Sequence, residues 1–525
     1  MDDDGGARLF VGGGGEGHRA PQHLLLGKAN RHGLVAGATG TGKTVTLQIL
    51  AEGFSAAGVP VIAPDVKGDL SGLAAAGSAD HPLHGAFLER AAAIGLDLHH
   101  AAFPVVFWDM FGARGHPLRT TVAEMGPLLL SRLLGLSEAQ EGVINVAFRV
   151  ADEEGLALLD LKDLRAMLAF VGENASALSL RHGNVRRASV GAIQSRLLVL
   201  EGEGGDGLFG EPALDLSDMI ARAPDGRGRV NLLDARRLMS SPRLYATFLL
   251  WLLSELFETL PEVGDPERPV LVLFFDEAHL LFDGAPHALV EKVEQVARLI
   301  RSKGVGVYFV TQSPDDVPPG VLGQLGNRVQ HALRAFTARD RRALRLAAET
   351  YRDNPAFDLE AAIRDVGTGE AVTSFLDRRG APGMAERTLI RPPSSRLGPL
   401  ADAERAAVMA ASPVAGRYEA AVDRPSAHEA LAGRAEAAAR AARAAEAEAA
   451  RAEEAGDLSA AMREFNAARR YSGRGAAHSG RRGPAEEGLG ARIGGALTDV
   501  LVEELKGTTG RRIVRGMLGG LFRGR

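Results

Sequence analysis

Gly33-Leu34-Val35-Ala36 is an apolar run typical of a buried strand, and the chain continues from it directly into a glycine-rich segment. That segment consists of Gly37, Ala38, Thr39, Gly40, Thr41, Gly42, Lys43 and Thr44. It matches the pattern G-x-x-x-x-G-K-[ST] in full, and residues 45–54 then show a helical pattern. Strand, loop and helix in this order predict a phosphate-binding P-loop, because the glycines let backbone N–H groups point at phosphate oxygens and the helix N-terminus favours anions.

The last two residues of this loop carry the chemistry of the predicted site. Lys43 is expected to reach the β and γ oxygens of ATP, and the Thr44 hydroxyl is expected to join the coordination shell of Mg²⁺. ATP and Mg²⁺ are therefore the expected cofactors. A chance match of a glycine-rich turn is the competing interpretation, and the strand and helix on either side of the loop argue against it.

A P-loop needs a carboxylate at the end of a neighbouring buried strand, since Mg²⁺ prefers hard oxygen ligands and hydrolysis needs a base. The apolar run 270–275 is followed by Asp276 and Glu277. We expect Asp276 to be a Mg²⁺ ligand in the second coordination shell and Glu277 to be the base that polarises the attacking water. With the next two residues they also spell a helicase box, but the tetrad lies too far along the chain from Lys43 for that superfamily. We therefore interpret His279 as an ordinary helix-start or loop residue, with a catalytic role as the alternative.

Short β-rich runs alternate with helical segments from about residue 24 to residue 395. This pattern predicts an α/β domain with helices on both faces of a mostly parallel central sheet. The predicted strands are 34–36, 59–63, 105–108, 230–233, 270–275, 305–311 and 328–333, and a late hairpin pairs 370–377 with 386–390. Several of these runs are continuously apolar, which indicates strands that are covered on both faces.

Changes in composition predict the domain organisation. The predicted parts are an N-terminal tail 1–23, an ATPase core 24–395 with a helical insertion at about 120–225, an Ala-rich helical segment 396–470 and a basic Gly/Arg-rich tail 471–525. Residues 427–456 contain 16 Ala among 30 and almost no apolar stripe, which favours a solvated helix. The first half of the tail is predicted to be disordered, with short helices near its end.

The composition also excludes several classes of protein. With 525 residues, 46% of them hydrophobic, the chain can bury a large core, and its net charge of −5 is not that of a generally basic nucleic-acid clamp. The absence of Cys excludes disulfides, a thiolate nucleophile and metal ligation through sulfur. Residues 469–525 nevertheless carry a local net charge of +7. This end is the expected contact for a polyanion or a protein partner, and a solubility tail is the alternative.

Signals for export or membrane insertion are missing. The first residues are acidic where a secretory signal would be basic and apolar. The strongest apolar stretch, residues 245–254, is about half as long as a membrane span requires. We therefore expect no membrane span and a cytoplasmic location.

A second group of residues surrounds the predicted strand 305–311. The strand ends in Gln312, and Arg301 precedes it. With residues 28–37, which approach the P-loop, this arrangement resembles the HerA/FtsK-type P-loop ATPases. In combination with residues 65–70 and an arginine-rich C-terminus ending in residues 515–520, it is similar to the bacterial HerA-like helicase subfamily that includes YjgR. The resemblance implies a RecA-like fold, with Gln312 as the sensor of the γ-phosphate and Arg301 as an arginine finger that reaches into a neighbouring subunit.

Each of these assignments has a competing interpretation. Arg301 could simply meet the negative end of a helix dipole. Gln312 could be a hydrogen-bonded polar residue at a strand tip. Arg328 and Arg334, on the next strand, are alternative fingers that we interpret as structural. Lys67 and Asp69, after the second strand, could line the site or a DNA-facing loop, and we interpret them as a plain loop.

The resemblance covers about residues 24–395, with the last thirty residues as a possible addition, and it implies a function. It implies an oligomeric ATP hydrolase, expected as a hexamer, that acts as a DNA translocase or helicase with DNA as its partner. The N-terminal β-barrel of HerA cannot fit into residues 1–23, which leaves DNA movement open. The alternative is an ATP-driven switch or assembly ATPase that acts on a protein or membrane-associated partner. A degenerate, purely structural P-loop protein is disfavoured because the P-loop Lys and Thr and both strand-end carboxylates are intact.

Overall fold

A twelve-stranded sheet organises the part of the chain that the computed structural model describes, namely residues 7–283, 287–335 and 337–471. The strands are β1 Arg8–Gly14, β2 Ala20–Leu25, β3 Gly33–Ala36, β4 Val61–Asp65, β5 Val105–Asp109, β6 His116–Pro117, β7 Val230–Asp234, β8 Leu271–Phe275, β9 Val305–Thr311, β10 Asn327–Gln330, β11 Glu370–Ser374 and β12 Glu386–Ile390. Their spatial order is β2-β1-β12-β11-β10-β3-β9-β8-β4-β7-β5-β6. From β10 to β6 all neighbours are parallel, and from β10 outward through β11, β12, β1 and β2 they are antiparallel.

Helices cover both faces of this sheet. They are α1 Lys43–Ala56, α2 His84–Ala93, α3 Val122–Leu134, α4 Glu138–Glu154, α5 Leu161–Glu173, α6 Ala175–His182, α7 Arg187–Gly202, α8 Leu216–Met219, α9 Pro242–Thr259, α10 His279–Phe282, α11 His287–Leu299, α12 Pro319–Leu322, α13 Ala338–Glu349, α14 Leu359–Asp365, α15 Asp402–Ala410 and α16 Ala427–Tyr471. Adjacent residues of β3 pack into separate hydrophobic cores on the two faces of the sheet, with Leu34 in one apolar cluster and Val35 in the other. The predicted α/β fold of RecA-like P-loop type, with its mostly parallel central sheet, is confirmed.

The N-terminal residues differ from the sequence prediction. Residues 8–23, predicted to belong to a tail, form β1 and most of β2, and β1 pairs with β12 at the antiparallel end of the sheet. Leu9 and Val11 are buried at alternating positions of β1. The strand is short and ends in glycines, so its apolar periodicity is weak. These glycines have a structural reason, because a Cβ at Gly13 would lie 1.9 Å from the His18 carbonyl oxygen. Only glycine permits this close return of the chain.

Other observed elements lie close to the predicted ones. Helices α3 to α8 fall between β6 and β7, where the helical insertion is predicted. The hairpin strands β11 and β12 pair antiparallel, and the predicted strand 328–333 ends earlier, at Gln330. The limits of the predicted domains stay predictions.

The chain divides into two units, Met1–Ala439 and Arg440–Arg525. Of the second unit the structure describes residues 440–471, which are helical, with exposed side chains from 440 to 464. The predicted basic tail from 472 onward and its short helices lie outside the described residues. None of the helices described is both long and apolar enough to cross a membrane.

Candidate nucleotide site

The P-loop leaves the carboxyl end of β3 in the interior of the sheet, and α1 begins at Lys43. Gly40 and Gly42 have φ angles of 81° and 119°, in the region that favours glycine. A Cβ on Gly37 would lie 2.5 Å from the Cβ of His331. These glycines therefore meet two needs of the loop, left-handed backbone and close approach of another segment.

Lys43 folds back over the loop. Its Nζ donates to the carbonyl oxygens of Gly37 at 2.6 Å and Ala38 at 3.1 Å. Burial lowers the pKa of Lys43, while the nearby Glu277 and Asp276 act in the opposite direction. An ammonium group has three donors, so the third can serve a phosphate oxygen while the other two fix the side chain.

The two predicted carboxylates follow β8, two strands away from β3. Burial, and secondly the charge of Glu277, raise the pKa of Asp276 to about 7. The Asp276 carboxylate accepts from the Glu277 N–H at 2.9 Å, and the Tyr245 hydroxyl donates to the Asp276 carbonyl at 2.7 Å. Glu277 has a φ of 49°, an uncommon conformation for a non-glycine residue. Strained backbone of this kind is concentrated at functional sites.

One cavity of about 520 Å³ brings the predicted residues together. Lys43, Thr44, Asp276 and Glu277 all line it. The Thr44 hydroxyl and the Asp276 carboxyl form a hard oxygen donor set of the kind that holds Mg²⁺ together with waters and substrate phosphates. A cation there would favour the ionised form of Asp276, against the effect of burial. The donor set therefore fits a Mg²⁺ ion.

Two residues interpreted as a plain loop also belong to this cavity. Lys67 and Asp69 follow β4 and line the same space as the P-loop. Lys67 is close enough to Lys43 to lower its pKa, and close enough to Asp276 to oppose the rise of that pKa. This places Lys67 at the end of the cavity that holds the carboxylates.

His331 supports the P-loop and was not identified from the sequence. Its Nε2 lies 2.8 Å from the Thr46 hydroxyl of α1, and its Nδ1 lies 2.8 Å from the carbonyl oxygen of Glu370. Burial lowers its pKa to about 4, so the ring is neutral at pH 7. A lone His after a strand gives no sequence signal of this role, because the contacts join positions far apart in the chain.

The remaining predicted residues lie outside the lining of the cavity. Gln312 is exposed directly after β9, and β9 lies between β3 and β8, the arrangement that the resemblance implies for the sensor strand. The ring of His279 lies 3.5 Å from the carboxylate of Glu277. The structure therefore places Gln312 beside the P-loop strand and His279 beside the predicted base, without assigning either a role.

The predicted arginines differ in their surroundings. Arg301 precedes β9 and so lies at the edge of the sheet opposite the P-loop, where its guanidinium pairs with Asp265 at 2.9 Å. Arg328 donates to the carbonyl oxygens of Leu325, Thr350 and Leu322, three main-chain acceptors at or just after the ends of α12 and α13. These bonds favour the structural interpretation of Arg328. Arg334 is exposed.

Comparisons with known proteins bear on the fold and the family. A family model described as "Helicase HerA-like C-terminal" matches residues 15–525. The chain is similar to VirB4 of Thermoanaerobacter pseudethanolicus, with 15% identity, a TM-score of 0.49 and coverage of 74% of this chain and 97% of that chain. A search of curated proteins found no match.

Two structures of the coupling protein TrwB are also similar. The unbound form of the bacterial conjugative coupling protein TrwBdeltaN70 has 16% identity and a TM-score of 0.44, with coverage of 72% of this chain and 89% of that chain. The plasmid coupling protein TrwB in complex with ADP and Mg²⁺ has 16% identity and a TM-score of 0.44, with coverage of 73% and 91%.

Proposed function

The chain belongs to the helicase HerA-like C-terminal family of P-loop ATPases, and from that premise we propose that it is a Mg²⁺-dependent ATP hydrolase that moves DNA as a homo-oligomeric ring. The observation that carries the ATPase part is the shared cavity. Lys43 and Thr44 from the P-loop and Asp276 and Glu277 from the end of β8 line one space of about 520 Å³. These are the residue types that phosphoryl transfer to water requires.

Each residue has a definite task in this proposal. The P-loop N–H groups and Lys43 hold the β and γ phosphates, and Glu277 accepts a proton from the water that attacks the γ-phosphorus while ADP leaves. Mg²⁺ held by Thr44 and Asp276 would neutralise charge on the phosphates. The hydrogen bond from the Glu277 N–H to Asp276 ties the positions of the two carboxylates together.

The ring is proposed from the place of Arg301. Because Arg301 lies at the edge of the sheet opposite its own P-loop, it can reach a phosphate only in another subunit. Its present partner, Asp265, is partly exposed, and such pairs contribute about 0–1 kcal/mol, so the pair can open at little cost. We assign Arg301 as the trans-acting finger, Gln312 as the γ-phosphate sensor and the hexamer as the working form. A mass measurement with and without ATP tests the assembly, and a stable monomer under both conditions would contradict the ring.

The DNA part of the proposal rests on the family and has its own test. ATP turnover is measured with and without double-stranded DNA at low and moderate salt, with the Lys43→Ala variant as the control for contaminating activity. We expect stimulation that weakens as salt rises, because phosphate contacts release counterions. Turnover that DNA does not change, together with no salt-sensitive binding, would refute DNA movement and favour a switch or assembly ATPase acting on a protein.

A further inference from the structure

The cavity that holds the P-loop continues beyond the predicted phosphate site as an apolar slot. One wall is formed by α2 and the residue before it, with Leu83, Ala86 and Phe87. Pro392, Pro393 and Leu397 also line this cavity and add to its apolar surface. Leu83 is 47% exposed although it lines a cavity. An apolar surface left open next to a phosphate loop indicates that a ligand covers it.

The slot and the carboxylates lie on opposite sides of the P-loop. Asp276 and Glu277 follow β8, on one side of β3, whereas Thr368 and Gly369 precede β11, on the other side. The Gly369 N–H donates to the carbonyl of Thr41 in the loop at 3.1 Å. A triphosphate whose γ-phosphate meets the carboxylates therefore directs its nucleoside toward this second side.

Arg90 joins α2 to that side. Its guanidinium donates to the carbonyl oxygens of Gly369 and Thr368, each at 3.2 Å. Gly369 is in turn hydrogen-bonded to Thr41 of the P-loop. These contacts fix the position of α2 relative to the predicted phosphate site. The Phe87 ring is in turn stacked on His81, with ring centroids 5.9 Å apart and planes 10° apart. The slot is thus built from side chains whose positions are set by other contacts.

We propose that this slot binds the base of the nucleotide through its flat faces and does not read its edges, so that the site accepts ATP and GTP alike. The inference rests on the proposed nucleotide site. Stacking against aromatic and apolar side chains is tolerant of base identity, because every base has a π face. A purine base buries more area than a pyrimidine base. The kcat/KM values for ATP and GTP should therefore both be higher than the value for CTP.

The polar groups around the slot explain the lack of edge recognition. Pro392 and Pro393 have no N–H to donate, and the Pro392 carbonyl already accepts from Arg391 at 3.1 Å. The Gly369 N–H and carbonyl are also bonded, to Thr41 and to Arg90 and Ile390. Arg90 lines the cavity too, and both of its terminal guanidinium nitrogens donate to the Gly369 and Thr368 carbonyls. The Thr368 hydroxyl can donate or accept by rotation and so suits the amino group of adenine and the keto group of guanine equally.

The test compares nucleotides and matched variants of the full chain. The kcat/KM values for ATP, GTP and CTP are measured, along with the affinity for inorganic tripolyphosphate. We expect ATP and GTP to agree within about tenfold, because sites without a hydrogen bond to the distinguishing group discriminate weakly. The variants are Phe87→Ala and Leu83→Ala, with Leu88→Ala as the control. Leu88 is 48% exposed on the same helix and does not line the cavity.

The expected pattern is specific to the slot. The Phe87→Ala substitution lowers kcat/KM for ATP and for GTP by a similar factor of about ten. Leu83→Ala lowers both values to a smaller extent, and the affinity for tripolyphosphate is unchanged in both variants. Leu88→Ala behaves as the wild type. A preference for ATP over GTP greater than tenfold, or a Leu83→Ala variant indistinguishable from Leu88→Ala, overturns the inference and leaves the proposed hydrolase intact. Failure to bind both nucleotides and tripolyphosphate overturns the proposed nucleotide site itself.

Discussion

Replacing Glu52 with Ala should destabilise the segment around Arg391, Pro392 and Pro393 that lines the nucleotide cavity. Glu52 lies on α1, is 1% exposed, and receives hydrogen bonds from the N–H groups of Ser394 and Ser395 at 3.0 and 2.9 Å and from the Ser395 hydroxyl at 2.6 Å. Its second oxygen lies 2.9 Å from the guanidinium of Arg391. One carboxylate thereby ties α1 to the segment that continues into Pro392 and Pro393.

The magnitude follows from what the substitution leaves behind. The Arg391 side chain is 10% exposed, so Glu52→Ala leaves a buried positive charge without its counterion. Removing one partner of a buried ion pair costs about 3–5 kcal/mol, and the unpaired amides act in the same direction. That is a large part of the 5–15 kcal/mol by which folded domains are usually stable. Glu52→Gln keeps an acceptor for the amides and should lose less.

Urea unfolding followed by tryptophan fluorescence measures the effect. Trp108 and Trp251 are both buried in the apolar core, so their emission reports loss of packing. Glu153→Ala is the control, because the Arg149–Glu153 pair is exposed and should contribute at most about 1 kcal/mol. A Glu52→Ala variant no less stable than the Glu153→Ala variant would refute the reasoning.

Three further predictions concern the P-loop, its support and the subunit contact. His331→Gln removes a buried group whose pKa is lowered to about 4. Because the unfolded chain binds the proton more tightly, the wild type should lose roughly 3 kcal/mol of unfolding free energy relative to this variant as pH falls from about 6.5 to 4. A difference in unfolding free energy between wild type and variant that is the same at both pH values, measured by urea unfolding, would contradict this. Gly42→Ala forces a side chain onto a φ of 119°, and ATP affinity measured by calorimetry should fall by about tenfold or more; unchanged affinity would show that the loop tolerates it. Arg301→Ala and Glu277→Gln should each be nearly inactive, and mixing them should restore ATP turnover if the arginine acts in trans; a mixture no more active than its parts would exclude that role.

The sequence predicted the centre of the fold better than its edges. Strands β3, β8 and β9 are largely apolar runs, and β3 and β8 lead directly into the glycine-rich P-loop and the two carboxylates, so local pattern is enough to identify these elements. The strand β1 was not predicted because it has only three apolar residues, Leu9, Phe10 and Val11, before three glycines. Its pairing with β12 depends on residues almost four hundred positions away, for example Gly12 with Ile390, which no local pattern contains.

The candidate site divides in the same way. Lys43, Thr44, Asp276 and Glu277 could be predicted because each follows a strand in a recognisable motif. His331 and Arg90 could not, because each acts through backbone groups that only the folded chain brings near. The apolar slot could not be predicted either, because nothing in the sequence indicates that the helix carrying Phe87 and the distant segment at Pro392 line the same cavity.

The rate of ATP hydrolysis by the Glu277→Gln variant, measured alongside its ATP affinity, tests the central claim most directly. The substitution keeps the size of the side chain and removes the base, so ATP should still bind while turnover falls about 10²–10⁴-fold. The Lys43→Ala variant should lose binding as well, because it removes the cation that holds the phosphates. If both variants hydrolyse ATP at the wild-type rate, the catalytic site does not lie in this cavity.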